Sequence, residues 1–434
     1  MSSTFVQQFI EQGGARSTDR LPTWWKEFRS SALKKLETLE VPTRKDEEWK
    51  FLKLKTLAKT SFVAESDAAL SLSREEIAAR LLPESSASTL VFLNGRFSSE
   101  LSRVDELPED VVLTNWQGLL DQDPGLVRDY VGANDFWKDD LFYNLNGANF
   151  EDGAVVLIPR NTVLEKPLHI LYVGSGKEGS YASHPRNIIV AGENAEATVV
   201  EEYDGRDSGA YFHNVVNEIS VGANATVKHF KVQRDSTDAF HIARNLITVS
   251  QDACYDATAI NLGASVSRND SYARFEGQNI DCTLDGLVHI RGSQTSDTHT
   301  ALDHAQPNSR SFQLHKVIVD EGAHSIFNGK ILVRKDAQKT SSNQLNQNLL
   351  LSNKAHIDTK PQLEILADDV ICSHGATVGQ LSEDQFFYLM SRGIEREHAR
   401  ALLTYAFAAE VLETITVDSL RNALEAEVLA ATVG

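Results

Sequence analysis

The hydrophobic positions of this chain follow two periods, helical at both ends and strand-like between. Near the start, Phe5, Phe9 and Ile10 form one short apolar face, and Trp24, Trp25, Phe28, Leu33, Leu36 and Leu39 recur at helical spacing. Pro22 suits the opening turn of that second helix. Ser73-Arg-Glu-Glu76 reads as a capping box before a helix carrying Ile77, Leu81 and Leu82. These signals predict a helical segment to about residue 80. From about 88 the runs shorten: Thr89–Leu93 is a compact apolar strand, and Asn94-Gly95 is a strong turn signal. Residues 115 to 150 read as mixed, with helices expected around Trp116–Leu120 and Phe136–Leu145.

From about 154 to 372 the chain reads as strand after strand. Ala154–Ile158, Leu168–Val173, Asn187–Val190 and Ala197–Val200 are separated by Gly, Asn, Asp and Pro. An approximate echo begins at Ala195, Ala223 and Ala253, with later versions at Gly322 and Lys354. Irregular repeats of short strands with small residues at the turns fit a parallel β-helix, and they also fit a large β-sandwich. Periodicity alone leaves both open. After 381 the helical period returns. Ser382 and Gln385 are expected to cap a helix carrying Phe386, Phe387, Leu389 and Met390, with Gly393 just past its end. A second helix is expected to bury Leu402, Leu403, Ala406, Phe407 and Val411. A third, capped by Asp418, carries Leu420, Leu424, Val428 and Leu429. The chain thus divides into a helical and mixed region (1–150), a strand-rich core (151–376) and a helical region (377–434).

Composition narrows the function classes. The 434 residues are 41% hydrophobic and 24% charged, ordinary for a globular protein. Lys and Arg number 42 against 61 Asp and Glu, a formal charge of −19, which disfavours nucleic acid and anionic membrane as partners. Cys254, Cys282 and Cys372 are too few and scattered for a disulfide framework. The first residues lack a basic region followed by an apolar run, and no stretch approaches a membrane span, so a cytoplasmic location is expected. Gly174-Ser-Gly-Lys-Glu-Gly179 superficially resembles a phosphate loop. It has Leu171 where the first Gly belongs and Glu178 in place of Ser or Thr, so it is a turn and offers no nucleotide site.

The chemistry concentrates in Glu364–Gly379, where Cys372 and His374 stand two residues apart. If the segment is extended, both side chains project from one face, and a thiolate beside an imidazole suits zinc, iron or an iron–sulfur fragment. Twelve of the thirteen histidines lie between His169 and His374; His299, His304, His315 and His324 are the group to inspect for a second site.

The phrase Cys372-Ser-His374-Gly-Ala-Thr-Val-Gly, its continuation through Ser391-Arg-Gly-Ile394 and Glu397–Leu403, and the upstream runs Asp358–Ile365 and Asn343–Ser352 resemble the SufB/SufD family, the scaffold subunits of SUF iron–sulfur cluster assembly. Pro42–Lys50 and Leu145–Phe150 fit the same family. Gly375 after the signature His, only three cysteines and the shorter length resemble its SufD side.

The resemblance implies a mainly β fold, a right-handed parallel β-helix flanked by helical N-terminal and C-terminal regions. It implies a non-catalytic scaffold that pairs with a SufB-like subunit to hold a transient iron–sulfur cluster at their interface, His374 being the metal-directed ligand and Cys372 its neighbour. A SufC-like ATPase would dock on the C-terminal helices near Phe387, Tyr388 and Arg392. A flavin in the assembled complex is compatible with it, as is a homodimer when the partner is absent. The alternatives are a SufB-like paralogue, a homodimer with another role, and a β-helix enzyme acting on polysaccharide; the acidic charge and missing leader argue against the last.

Overall fold

The computed structural model describes residues 4–64, 70–177, 179–205 and 209–433. Met1–Ser3, and Glu178 of the glycine-rich turn, lie outside them. The strand-rich core is a parallel β-solenoid of about 7 turns, which decides between the two architectures the periodicity allowed. Successive strands alternate between two 11-stranded sheets. One register line shows the coil length: Glu196 pairs with Thr226, then Cys254, Asp281, Arg310, Ser341 and Ile371, steps of 30, 28, 27, 29, 31 and 30 residues.

Each coil needs a sharp corner, and side-chain amides supply it. Asn161, Asn194, Asn224, Asp252, Asn279 and Asn308 all adopt positive φ, between 55° and 64°, a conformation that Asn and Asp tolerate best among residues with a Cβ. The corners also bond to one another. Asn224 Nδ2 donates to Asn194 Oδ1 (2.9 Å), and Asn194 Nδ2 to Asn161 Oδ1 (2.7 Å). Behind them Ala195, Ala225 and Ala253 point inward and are buried. The sequence echo therefore aligns Ala195 with Ala225, two residues beyond the Ala223 that the repeat pattern selects. Its later members, near Gly322 and Lys354, belong to the opposite corner, which also opens a strand with a small buried residue.

The solenoid interior is apolar along one line and polar along another. Val156, Ile170, Val199, Val227 and Ile247 belong to one apolar core. Alongside it, Glu201 accepts from Tyr203 Oη (2.6 Å) and Asn217 Nδ2 (2.9 Å) and pairs with His229 Nε2 at 3.0 Å. Burial pushes the Glu201 carboxyl up, but these partners and the Lys231 charge outweigh it and hold it down at about 2.

Each terminal region covers one sheet's outer face. Helices Thr4–Ala15, Thr23–Leu36 and Leu141–Asn149 pack over Phe212, Phe240 and Ile242 of one sheet. Between Leu39 and Ser73 the expected helical period does not hold. Trp49 and Leu57 are buried from short 3₁₀ turns, and Leu52 and Leu54 from the irregular chain between them, because each plugs the sheet surface singly. The capping box forms: Ser73 Oγ accepts from Glu76 N–H and Ser73 N–H donates to the Glu76 carboxylate. That helix runs only over Arg74–Ile77. The Asn94-Gly95 turn joins Ser88–Leu93 to an antiparallel partner, and with Val112–Asn115, also antiparallel, it closes the first end of both sheets.

The other sheet is covered by Arg396–Leu412 and Asp418–Val433, and Glu383–Ser391 packs against the first of these. Three helical readings need correction. Leu402 is 44% exposed and Ala406 is exposed; Val411 is buried as expected, and Ala401, Thr404 and Ala408 join it, because small side chains let the helix approach a sheet closely. The Ser382 side chain makes no capping bond. Asp418 is the first residue of its helix rather than its cap; the Glu84 carboxylate accepts from Ser419 N–H at 3.0 Å. Glu427 further ties this helix down by pairing with Arg80 (2.9 Å) and Arg234 (2.8 Å). Among the described residues no helix is long and apolar enough to cross a membrane.

Candidate functional site

The two sheets end on His356–Ile365 and Ile371–Gly379, each paired on one side only. Their free edges carry unpaired N–H and C=O groups, which sheets normally cover or blunt. Around this open end Ile365, Leu366, Ile371 and Val378 are 39%, 57%, 77% and 51% exposed.

Cys372 and His374 lie on the last of these strands. Cys372 pairs with Ser342 and His374 with Gln344, both buried and inward-facing, whereas the intervening Ser373 pairs with exposed Asn343 and accepts from its Nδ2 at 2.7 Å. Thiol and imidazole therefore project from the inner face, as the final members of columns that run up the solenoid wall. Cys372 is half-buried against the cluster of Ile331, Val333, Ala337 and Ala367. Burial pushes its thiol pKa up, and a backbone hydrogen bond from Ser342 offsets this only in part. The His374 ring is exposed and makes no hydrogen bond or ion pair with a described residue. Beneath it the Gln344 carboxamide is fully buried, and neither its nitrogen nor its oxygen has a partner among the described residues. The open end thus presents an uncommitted imidazole beside a half-buried thiol, one coil above a buried amide without a partner among the described residues.

Phe387 and Tyr388 lie on the helix Glu383–Ser391, and Arg392 directly follows it. Phe387 is 76% and Tyr388 56% exposed, and the Arg392 guanidinium sits 4.6 Å above the Tyr388 ring. Only Phe386 of that helix is buried, and Phe387, Tyr388 and Met390 are left exposed by the described residues.

The four histidines His299, His304, His315 and His324 do not converge. His299 lies on an outer face, with Nε2 2.9 Å from Asp297 and Nδ1 3.3 Å from Glu48. His304 and His315 point inward, one bonded to Ser311 Oγ (2.9 Å), the other against Phe327. Burial holds both imidazoles down, at about 4 and about 3. His324 meets His356 and Asp358 instead. That grouping escaped the sequence reading because it needs the 32-residue register His324–His356.

Two family descriptions cover this architecture. The SufBD N-terminal region matches residues 4–170, and the SufBD core domain of SUF iron–sulfur cluster assembly matches residues 172–407. This chain belongs to the SufBD family. An iron–sulfur cluster assembly SufBD family protein of Synechocystis sp. is 40% identical over 91% of this chain and 88% of its own length. The iron–sulfur cluster assembly protein SufD of Escherichia coli is 32% identical over 98% and 96%, and SufD of Bacillus subtilis 28% over 93% and 93%. By this likeness the SufBD chain is SufD-like, an iron–sulfur cluster assembly protein.

Proposed function

We propose that this SufD-like chain is a non-catalytic scaffold subunit that joins a SufB-like subunit through the open end of its solenoid. The observation that carries this is the coincidence of three features there: two free sheet edges, an exposed apolar rim, and Cys372 with His374 facing the gap. A partner strand laid on either edge would continue the ladder and cover the rim, and one laid on Ile371–Gly379 would place its own side chains over Cys372 and His374. His374 would then supply an imidazole to a nascent iron–sulfur cluster whose thiolates come mainly from the partner. Imidazole in place of thiolate removes negative charge and changes the cluster's potential. A cluster held across a separable interface is suited to release. Cys372, whose burial favours the protonated thiol, is the secondary ligand.

The exposed face of Phe387, Tyr388 and Arg392 is the docking surface for a SufC-like ATPase. Nucleotide would be handled by that subunit, and a flavin would belong to the assembled complex rather than to this chain alone.

The test is affinity capture of this chain from cells expressing all three subunits, with the bound chains identified by mass spectrometry. Recovery of an ATPase and a longer, cysteine-richer homologue supports the reading. Recovery of this chain alone, or only as a homodimer, contradicts it.

A further inference from the structure

The edge strand His356–Ile365 carries a second group of ligating side chains on its outer face, at the end opposite the corner that leads to Cys372. His324 and His356 each open a strand, and the parallel register sets them side by side with ring centroids 4.8 Å apart. Asp358, two residues along and on the same face, completes the group. Its Oδ2 lies 2.8 Å from His324 Nε2 and 3.2 Å from His356 Nε2. The three ligand atoms all fall within 4.8 Å of one another.

We propose that His324, His356 and Asp358 form a binding site for a divalent first-row transition metal, ferrous iron being the ion the donors suit. Two imidazoles and one carboxylate on one side of an ion are the 2-His-1-carboxylate arrangement of non-haem Fe(II), with the remaining positions open. Adjacent ligands of an octahedral ion, each bonded at about 2.1 Å, stand roughly 3.0 Å apart. The 2.8 and 3.2 Å separations bracket that value. A hydrogen bond between His324 Nε2 and Asp358 Oδ2, with His356 Nε2 close to the same oxygen, already holds that spacing. Binding therefore replaces ring protons with a cation and needs little side-chain movement.

Backbone geometry fixes the triad: one ligand is a cross-strand neighbour and the other is i+2 on the same strand. His324 is mostly covered. His356 is 65% exposed, so the open positions face outward. The other histidine–carboxylate group, His213, Asp235 and His241, lacks these features. It is fully buried, Asp235 already accepts from Tyr211 and Gln233, and the Lys231 ammonium lies 3.2 Å from His241.

The test titrates the tag-free, chelator-stripped full chain anaerobically with Co²⁺, followed by its visible d–d absorption, and with Fe²⁺ by calorimetry. His356→Ala and Asp358→Asn are compared with wild type, and a Cys372→Ser/His374→Ala double variant is the control. Melting temperatures establish that each variant is folded. The expected result is one saturable site for each metal, weakened at least ten-fold by either His356→Ala or Asp358→Asn and retained in the double variant. Three results overturn the proposal: no saturable Fe²⁺ binding by wild type, undiminished binding in both single variants, or loss in the double variant alone. None depends on the partner subunits, so this proposal and the scaffold reading fail separately.

Discussion

His374 stands beside Gln344 in the last strand pair of its sheet, and among the described residues no strand follows it. In every earlier coil an inward side chain at this position is covered by the next coil. Gln313, one coil below Gln344, is fully buried in this way. His374 occupies the same column without that cover.

Replacing His374 with alanine is therefore expected to leave the fold intact. An exposed side chain with no described partner contributes within about 0.5 kcal/mol. In the complex with the SufB-like and ATPase subunits, the variant is expected to lose most of the iron and sulfide acquired on anaerobic reconstitution. Equal iron and sulfide in wild type and variant would remove His374 from the site.

Ile371 tests the rim without touching the ligands. At 77% exposure it contributes little to the isolated chain, and a lysine at a sheet edge opposes strand pairing. Ile371→Lys is expected to keep its melting temperature and to weaken capture of the SufB-like subunit at least ten-fold, read by surface-immobilised binding. Full capture would mean that the partner docks elsewhere.

The three cysteines are expected to differ in reactivity. Burial raises the Cys372 thiol; burial together with neighbouring Asp256 pushes Cys254 to about 12; Cys282 is fully buried and well above its ordinary value. Thiolate is the reacting form, so alkylation of the native chain at pH 8 should be slow, with Cys372 modified first and Cys282 last. Time-resolved peptide mass spectrometry reads the order, and early modification of Cys282 would contradict the burial pattern.

Asp285 gives the pH dependence a definite sign. It is buried, it accepts from Leu314 N–H at 2.8 Å, and burial pushes its pKa up to about 7. The folded chain thus holds this proton more tightly than the unfolded chain does. Raising the pH from about 4 to about 7 should therefore cost stability, by on the order of 4 kcal/mol at most. Asp285→Asn keeps the acceptor and removes the titration. Its urea midpoint should move above that of wild type as pH rises through this window, and stay level beyond it. A gap that does not change with pH would contradict the raised pKa.

The sequence revealed most of the strands because each coil repeats an inward apolar position and a corner of small or amide side chains, as at Ala195 and Asn194. It mixed the two corners because Ala225 and Ala323 look alike locally although they lie on opposite edges. The pairing of Cys372 with His374 was legible, since an i, i+2 relationship in a strand needs no tertiary knowledge. His356 and Asp358 were not, because their partner His324 lies a full coil away. The helix faces misled for another reason. Leu402 and Ala406 fit a core face in a helical period, yet the sheet beneath accepts Ala401, Thr404 and Ala408 and leaves those two outside.

The central claim is that the open end of the solenoid is where a SufB-like subunit adds to the sheets. Hydrogen–deuterium exchange of this chain, alone and in the complex, tests it most directly. The backbone amides of 356–379 are expected to exchange quickly in the free chain and to gain strong protection on pairing. Unchanged exchange across 356–379, with new protection elsewhere on the chain, would contradict it.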